Sequence, residues 1–276
     1  MGTLNITLID VGWGDSIFIE HVDAAGNFHY GLIDSNDSKE IKSTRIFIER
    51  FFRLKRQDIH DPLFDFVLLS HGHDDHSKGL EGIIRKYGTV YFWHPKSNNL
   101  GPHAPLIRYC GRAISKVEQC ESLNSTKTLP VFGDVRMAVL WPHYKQISNN
   151  ENNNSVVLTL TYGNTSVILT GDAEEEVWAD IAAKIPQNTV FFKVPHHGSR
   201  NGSLDENDQP TWLVNCPAAA SLGISCMYRA DYKHPHDEVL AAFSNAGRKY
   251  YRTDAQYHLT VSLDGINPPA VKHSHV

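Results

Sequence analysis

The sequence lacks any apolar run long enough to cross a bilayer, and it is poor in cysteine. The four cysteines, Cys110, Cys120, Cys216 and Cys226, form no C-x-x-C pair, which argues against a thiolate zinc site and favours reduced thiols. An excess of positive charge is also missing, because the formal net charge of −5 gives no overall basic field for nonspecific nucleic-acid binding. The first residues contain no basic segment followed by an apolar one, so we expect a cytoplasmic protein that does not act at a membrane.

The composition is that of an ordinary soluble globular protein, with 41% hydrophobic and 21% charged residues among 276. This length is sufficient for a large core. No internal linker or change of composition divides the chain. We therefore expect one domain that spans residues 1–276.

The most informative stretch is a predicted buried strand, Phe64 to Leu69, followed at once by metal-ligating residue types. These residues are His71, His73, Asp74, Asp75 and His76. Desolvating so many imidazoles and carboxylates is costly unless something compensates their charges and lone pairs. A divalent metal does so, because both groups are good ligands for zinc-like ions. The spacing, with two histidines two residues apart and then an adjacent Asp-His pair, favours two neighbouring metals over one.

Two later strands also end in candidate ligands. The hairpin around Tyr162 to Asn164 ends at Asp172, and the strand Val190 to Val194 is followed by His196 and His197. Sites gather at the carboxyl ends of strands in α/β sheets. We therefore expect one site assembled from several strand ends.

Two further aspartates flank this site in the sequence. Asp15 follows the Gly-containing turn after the first strand, where a plain hairpin needs no acid, so it is a candidate for holding a ligand from behind. Asp34 ends another strand, and either it caps the helix that follows or it holds a ligating imidazole in one tautomer. Glu174 to Glu176 begin a predicted helix, where the helix dipole favours acids, and they need no catalytic role.

With these residues in view, the sequence resembles the metallo-β-lactamase superfamily, whose H-x-H-x-D-H signature stands here at residues 71–76. More narrowly, it is similar to the ComEC-like hydrolases, the group that includes the hydrolase domain of a DNA-uptake protein. The matching pieces occur in the family's order over nearly the whole chain: DVGWGDS, LSHGHDDHSKGL, NNNSVVLTLTYG, LTGDAEEE, KVPHHGS, KHP and YRTD.

The resemblance implies an α/β fold, a four-layer αββα sandwich, with a dinuclear site on one edge. Two divalent ions are implied, and the ligands carried over are His71 and His73 for the first, Asp75 and His76 for the second, Asp172 as the bridge, and His196 or His197. We favour His196 as the last ligand of the second metal, because it follows the strand end directly.

The sequence departs from the superfamily pattern at three places. Asn152 to Ser155 stand where many members carry a third histidine for the first metal, which makes manganese a real alternative to zinc. We expect Asn154 to support the ligands from behind. Trp13 replaces the usual Gln of the first motif, and the Gly that usually follows YRTD is missing.

The implied reaction is hydrolysis of a phosphodiester in DNA, RNA or a nucleotide by a metal-bound hydroxide. Asp75 or Asp172 would orient or deprotonate the water. His234, or whichever of His196 and His197 is not a ligand, would protonate the leaving oxygen.

Four residues near the later motifs are candidates for substrate binding: His197, Ser199, Arg200 and Lys233. For Ser199, Arg200 and Lys233 a solvated loop position is an equal alternative. Three other functions stay open: a hydrolase of small esters, lactones or thioesters, a regulatory module with a vestigial site, and an iron redox centre. A partner protein that directs the activity is also compatible with the sequence.

Overall fold

The fold is described from a computed structural model, which describes residues 2–40, 42–55, 60–97, 103–145, 147–228 and 232–274. The strands of the described residues are β1 Thr3–Leu8, β2 Ile17–Val22, β3 Phe28–Ile33, β4 Phe64–Leu68, β5 Thr89–Pro95, β6 Val117–Leu123, β7 Arg136–Trp141, β8 Val157–Tyr162, β9 Thr165–Leu169, β10 Thr189–Lys193, β11 Ser221–Ile224, β12 Tyr250–Arg252, β13 His258–Leu263 and β14 Ala270–Ser274. The α-helices are α1 Ser43–Lys55, α2 Asp74–Ser77, α3 Leu80–Tyr87, α4 Ala104–Cys110, α5 Glu175–Ile181, α6 Arg200–Ser203, α7 Asp237–Asn245 and α8 Thr253–Gln256, and short 3₁₀ turns cover Glu151–Asn154, Ala182–Lys184 and Pro195–Gly198.

The described strands form two sheets. One has eight strands in the order β14-β13-β1-β2-β3-β4-β5-β6, and the other has six in the order β12-β11-β10-β9-β8-β7. Strands β3 to β6 run parallel to one another, as do β9 to β12, while the remaining neighbours are antiparallel. Parallel strands need crossover connections, which is why helices cover these parts of each sheet.

Three apolar layers hold the sheets and helices together. The inner faces of the two sheets meet in a cluster that includes Phe66 of β4 and Val167 of β9. On the outer face of the larger sheet, α1 and α3 bury residues such as Phe51 and Ile83. On the outer face of the smaller sheet, α5 contributes Trp178. The result is helix, sheet, sheet, helix, so the predicted four-layer αββα sandwich is confirmed.

Helix α3 shows how local sequence determines this packing. Its buried residues Leu80, Ile83, Ile84 and Tyr87 recur at helical spacing and form one stripe against the sheet. Each such side chain contributes roughly 1.5–3 kcal/mol when it is fully buried. Gly88 ends the helix with a positive φ of 71°.

The topology brings several strand ends to one rim of the sandwich. Strands β1, β3 and β4 share a direction in the larger sheet, so the segments that follow them lie at the same edge. Strands β9 and β10 are parallel neighbours in the smaller sheet and end at the facing edge. No helix among the described residues is long and apolar enough to cross a membrane.

Candidate metal centre

The loop after β4 delivers the first group of donors. His71 and His76 are fully buried, and their ring centroids lie 4.2 Å apart. His73 is exposed, but its Nδ1 lies 3.0 Å from His71 Nε2. Short helix α2 begins right after His73, and this turn places His76 behind the first two histidines.

Asp172 lies at the centre of the cluster. Its Oδ2 is 3.3 Å from His76 Nε2, 3.2 Å from His197 Nε2 and 4.0 Å from His71 Nε2. The backbone N–H of Asp172 donates to Ser155 Oγ at 3.0 Å, which fixes the start of the loop. One carboxylate oxygen therefore faces three imidazoles, which is the position that a bridging ligand requires.

Of the two histidines after β10, His197 lies inside the donor cluster. His197 is fully buried, and its Nε2 lies 3.6 Å from Asp75 Oδ2 as well as beside Asp172. His197 Nδ1 donates to the carbonyl of Ser225 at 2.9 Å, so Nε2 is the nitrogen that faces the cluster.

His196 occupies a more peripheral position. Its Nε2 is 3.9 Å from Asp172 Oδ2, and its Nδ1 is 3.0 Å from Glu174 Oε1. His196 and His197 both have a positive φ, 48° and 54°. The backbone therefore turns sharply at this pair, and the ring of His197 faces the cluster while that of His196 lies further out. A left-handed pair of non-glycine residues has no clear signal in the sequence. The geometry thus places His197 among the donors and His196 at their edge, and which of the two binds a metal stays a prediction.

Asp75 completes the group around the second predicted metal position. Its Oδ2 is 4.0 Å from His76 Nε2, and its side chain is 22% exposed. The backbone oxygen of Asp75 approaches Gly14, whose φ of 104° and position leave no room for a Cβ, which would lie 2.2 Å from that oxygen. The glycine-containing turn predicted after β1 is thus what lets the two loops meet.

Asp34 holds His76 from behind. Its Oδ2 accepts a hydrogen bond from His76 Nδ1 at 2.7 Å, and its Oδ1 accepts one from the Ser70 backbone at 2.7 Å. The alternative capping role is absent, because α1 begins at Ser43 and Asp37 accepts the hydrogen bond from Thr44 N at 2.9 Å. Of the two roles that the sequence left open for Asp34, the structure shows contact with the imidazole.

Asp15 contacts a residue that the sequence analysis missed. Lys193, at the end of β10, is fully buried and forms an ion pair with Asp15. Its Nζ also donates to Gly171 O at 3.1 Å and lies 3.8 Å from Asp172 Oδ1. Burial by itself lowers the pKa of Lys193, but Asp15 and Asp172 raise it above its ordinary value. The signal that could have revealed it is a charged residue ending an otherwise apolar buried strand, TVFFK.

The asparagine segment is a buried 3₁₀ turn rather than a solvated loop. Asn154 Nδ2 donates to Glu151 Oε2 at 2.9 Å, and Glu151 Oε1 accepts from Gly72 N at 2.9 Å. Asn154 therefore supports the backbone between His71 and His73 through Glu151, a residue that the sequence analysis did not single out.

A neighbouring asparagine reaches the opposite side of the site. Asn152 Nδ2 donates to Glu174 Oε1 at 2.7 Å, and this same carboxylate lies beside His196. Glu174 was assigned only a helix-start role from the sequence, and the structure adds this second contact.

The electrostatics of the cluster match a cation-binding site. Burial alone would lower the pKa of His76, but Asp172, Asp34 and Asp75 raise it well above its ordinary value. Burial also lowers the pKa of His197, but its carboxylate neighbours, chiefly Asp172, raise that pKa to about 9. In the metal-free protein the carboxylates thus stabilise protons on the ring nitrogens of His76 and His197 that a metal would bind.

The donors also satisfy a direct test of fit for a divalent ion. The Nε2 atoms of His76 and His197 and the Oδ1 atom of Asp172 are buried without a hydrogen-bond partner among the described residues. Four groups of three donors have their ligand atoms within 4.8 Å of one another: His71-His76-Asp172, Asp75-His76-His197, Asp15-Asp34-His76 and Asp15-Asp172-His197. Imidazole nitrogen and carboxylate oxygen suit zinc and manganese.

His234 lies at the margin of the cluster and is buried. Its ring centroid is 5.3 Å from that of His196 and 5.2 Å from that of Trp13. Burial and then the neighbouring imidazoles of His196 and His197 lower the pKa of His234 to about 3. The ring is therefore neutral at physiological pH, which does not suit the predicted role of proton donor.

Two of the other three predicted substrate contacts, Ser199 and Arg200, have local partners. Ser199 Oγ accepts from Gly202 N at 3.0 Å as the N-cap of α6, and the Arg200 guanidinium pairs with Asp208. Lys233 is exposed beside His234 in the chain. Phosphate binding by these three residues stays a prediction.

Comparison with known proteins agrees with the fold and the motifs. The profile of the metallo-beta-lactamase superfamily matches residues 33–138, which include the histidine cluster. ComE operon protein 3 of Bacillus subtilis (strain 168) is 25% identical over 283 residues, 96% of this chain and 34% of the relative. The uncharacterized protein YcaI of Escherichia coli (strain K12) is 30% identical over 200 residues, 71% of this chain and 23% of the relative. The chain thus spans about a third or less of the length of these relatives.

Solved structures show the same fold. A mutant of the CmlA beta-hydroxylase superposes with a TM-score of 0.56 at 13% identity, covering 94% of this chain and 54% of that chain. Tm1679, a metal-dependent hydrolase of the beta-lactamase superfamily, gives a TM-score of 0.52 at 13% identity, and the match covers 93% of this chain and 98% of that chain. Together with the H-x-H-x-D-H cluster and the αββα layers, these matches show that the chain has a metallo-β-lactamase domain and that its weak curated relatives are ComEC-like proteins.

Proposed function

We propose that this chain is a dinuclear metal-dependent hydrolase that cleaves phosphodiester bonds in nucleic acid. The observation that carries the proposal is the position of Asp172 Oδ2, which lies within 4.0 Å of a ring nitrogen of His71, His76 and His197. This carboxylate oxygen therefore lies close to donors of both proposed ions: His71 for one, and His76 and His197 for the other. The similarity to ComE operon protein 3 and the ComEC-like motifs support nucleic acid as the substrate class.

His71 and His73 would hold one ion. Asp75, His76 and His197 would hold the other, and Asp172 would contact both. Two such ions supply a Lewis acid and lower the pKa of water from about 15.7 towards 7. Zinc and manganese both fit, since all the candidate donors are nitrogen or oxygen atoms.

The protein groups around this set orient the reactants. Asp75 is partly exposed, with its Oδ2 3.6 Å from His197 Nε2, and its carboxylate would orient the attacking water and accept a proton from it. We take His196 as the proton donor, because its Nδ1 lies 3.0 Å from Glu174 Oε1 and its Nε2 lies 3.9 Å from Asp172 Oδ2. A carboxylate beside one ring nitrogen fixes the direction of the other.

The same proposal includes a cytoplasmic location and a partner protein that directs the activity. A small-molecule ester, lactone or thioester hydrolase is the alternative, because the same fold hosts several substrates.

The test is metal analysis followed by cleavage of single- and double-stranded DNA and RNA with zinc and with manganese. We expect metal-dependent cleavage of a polynucleotide by the wild type and none by Asp172→Ala. Asp180→Ala, which removes an exposed carboxylate on α5, is the matched control and should cleave like the wild type. Turnover of esters or thioesters without cleavage of any polynucleotide would replace the proposal with the alternative.

A further inference from the structure

An aromatic patch adjoins the candidate metal centre, and it consists of Trp13, Tyr232 and His234. The rings of Trp13 and Tyr232 have centroids 4.9 Å apart and planes inclined by 17°, which is a stacked arrangement. Trp13 also stacks on His234, with centroids 5.2 Å apart and an angle of 29°. Its centroid is 5.0 Å from that of His197, so the patch is continuous with a candidate metal ligand.

The patch does not serve as an ordinary core. Tyr232 is 52% exposed, and the nearby chain adds exposed Met227 and Tyr228. Trp13 and Tyr232 belong to none of the three apolar clusters formed by the described residues. Tyr232 is exposed, Trp13 is half-buried and His234 is buried, so the patch opens to solvent on the Tyr232 side. An exposed aromatic ring at the edge of a site is typical of a surface that binds a ligand.

The chemistry of the patch indicates what it binds. Flat aromatic rings stack on nucleobases, and this interaction tolerates every base because each has a π face. The exposed ammonium group of Lys233 follows Tyr232 in the chain and supplies a positive charge of the kind that contacts phosphate oxygens. A base on the patch would lie close to the candidate metal ligands, because the Trp13 ring is 5.0 Å from that of His197.

We infer that Trp13 and Tyr232 stack an unpaired nucleobase next to the scissile phosphate, so that the substrate is single-stranded nucleic acid. This inference rests on the proposed function and names its substrate class. In a duplex the base faces are covered by their neighbours, and unstacking one base costs a few kcal/mol. Duplex without a free strand is then the poorer substrate.

Binding is tested first, without cleavage, by intrinsic tryptophan fluorescence in EDTA. The ligands are dT12, U12 and a 12-residue abasic strand that keeps every phosphodiester but has no bases. We expect dT12 or U12 to quench the fluorescence and the abasic strand to leave it unchanged. Quenching should be weakened in Tyr232→Ala but not in Tyr232→Phe, and both variants keep Trp13 as the fluorescent reporter.

Cleavage by the metal-loaded protein gives the second readout. In the wild type, the KM for the abasic strand should exceed that for dT12 by about 5-fold or more, since stacking contributes about 1–3 kcal/mol per base. This ratio should fall towards one in Trp13→Gln and Tyr232→Ala, mainly through KM rather than kcat. Tyr144→Ala is the control, because Tyr144 is an exposed tyrosine whose ring contacts are with His143 and Lys145.

The outcomes separate this inference from the proposed function. Equal quenching and equal KM for dT12 and the abasic strand would overturn the stacking role while leaving phosphodiester cleavage intact. Faster cleavage of a blunt dT12·dA12 duplex than of dT12 would overturn the single-strand assignment. Base-dependent quenching without cleavage of any polynucleotide would support the stacking site and refute the proposed nuclease function.

Discussion

Asp34 Oδ2 lies 2.7 Å from His76 Nδ1, and both side chains are fully buried behind the donor cluster. A carboxylate at Nδ1 keeps the proton on that nitrogen, so Nε2 presents its lone pair to the cluster. The same carboxylate accepts from Ser70 N, which ties the imidazole to the start of the histidine loop. The orientation of His76 therefore depends on a residue from a different strand.

The first prediction concerns Asp34→Asn. An amide oxygen still accepts the hydrogen bond but lacks the charge, so His76 becomes a weaker ligand. We expect metal affinity to fall about 10–100-fold, as is typical when a partner behind a ligand is changed. Competition with a chelating dye measures the affinity, and Asp180→Asn is the control. Unchanged affinity in a folded Asp34→Asn protein would contradict the assigned role.

The second prediction separates the two adjacent histidines. His197→Ala should bind one metal per chain instead of two, because it removes a buried donor beside Asp172 and Asp75. His196→Ala should keep both metals and lose about 10²–10⁴-fold in kcat, which is the usual contribution of a general acid. Elemental analysis measures the number of metals per chain, and single-turnover kinetics measures the loss of rate. Loss of a metal in His196→Ala alone would restore the sequence-based choice of His196.

The third prediction concerns Lys193→Met. This change leaves Asp15 buried without its cation, and we expect the free energy of unfolding of the metal-free protein to fall by about 3–5 kcal/mol. Denaturant unfolding measures the loss. The double variant with Asp15→Asn should recover part of the stability, because the uncompensated charge is then gone. If the double variant is no more stable than Lys193→Met, the ion pair is not what stabilises this position.

The fourth prediction concerns pH. In the metal-free protein the pKa of His197 is raised to about 9 despite burial, chiefly by Asp172. A folded-state pKa above the unfolded value of about 6.5 stabilises the fold fully below pH 6.5, and this stabilisation is lost as the pH rises through 9. Metal binding has the opposite dependence, since the ligand must be neutral.

We therefore expect the free energy of unfolding of EDTA-treated protein to decrease from pH 6.5 to 9. The extra stability gained on adding zinc should increase over the same window. Denaturant unfolding with and without zinc measures both slopes. A zinc-induced gain that shrinks with rising pH would show that His197 is not among the groups displaced by the metal.

Much of the architecture could be predicted from the sequence, because periodicity and loop position carry it. The apolar strand before His71 and the hairpin ending at Asp172 indicated which segments reach the rim. The four-layer fold came from the resemblance of the motifs and not from periodicity. The single domain over residues 1–276 stays a prediction.

The details that the sequence did not provide are those set by backbone conformation and by contacts between distant segments. The positive φ of both His196 and His197 decides which ring turns inwards. Lys193 meets Asp15 only after the two sheets pack, and Glu151 reaches Gly72 across 79 positions in the chain. A single sequence does not encode such pairings in any local pattern.

The central claim is that two cations share Asp172, and anomalous diffraction from crystals of the metal-loaded protein tests it most directly. Data collected at the zinc or manganese edge should give two peaks, one near His71 and one near His197, each about 2.0–2.2 Å from its donor atoms. A single peak, or peaks remote from Asp172, would contradict the account.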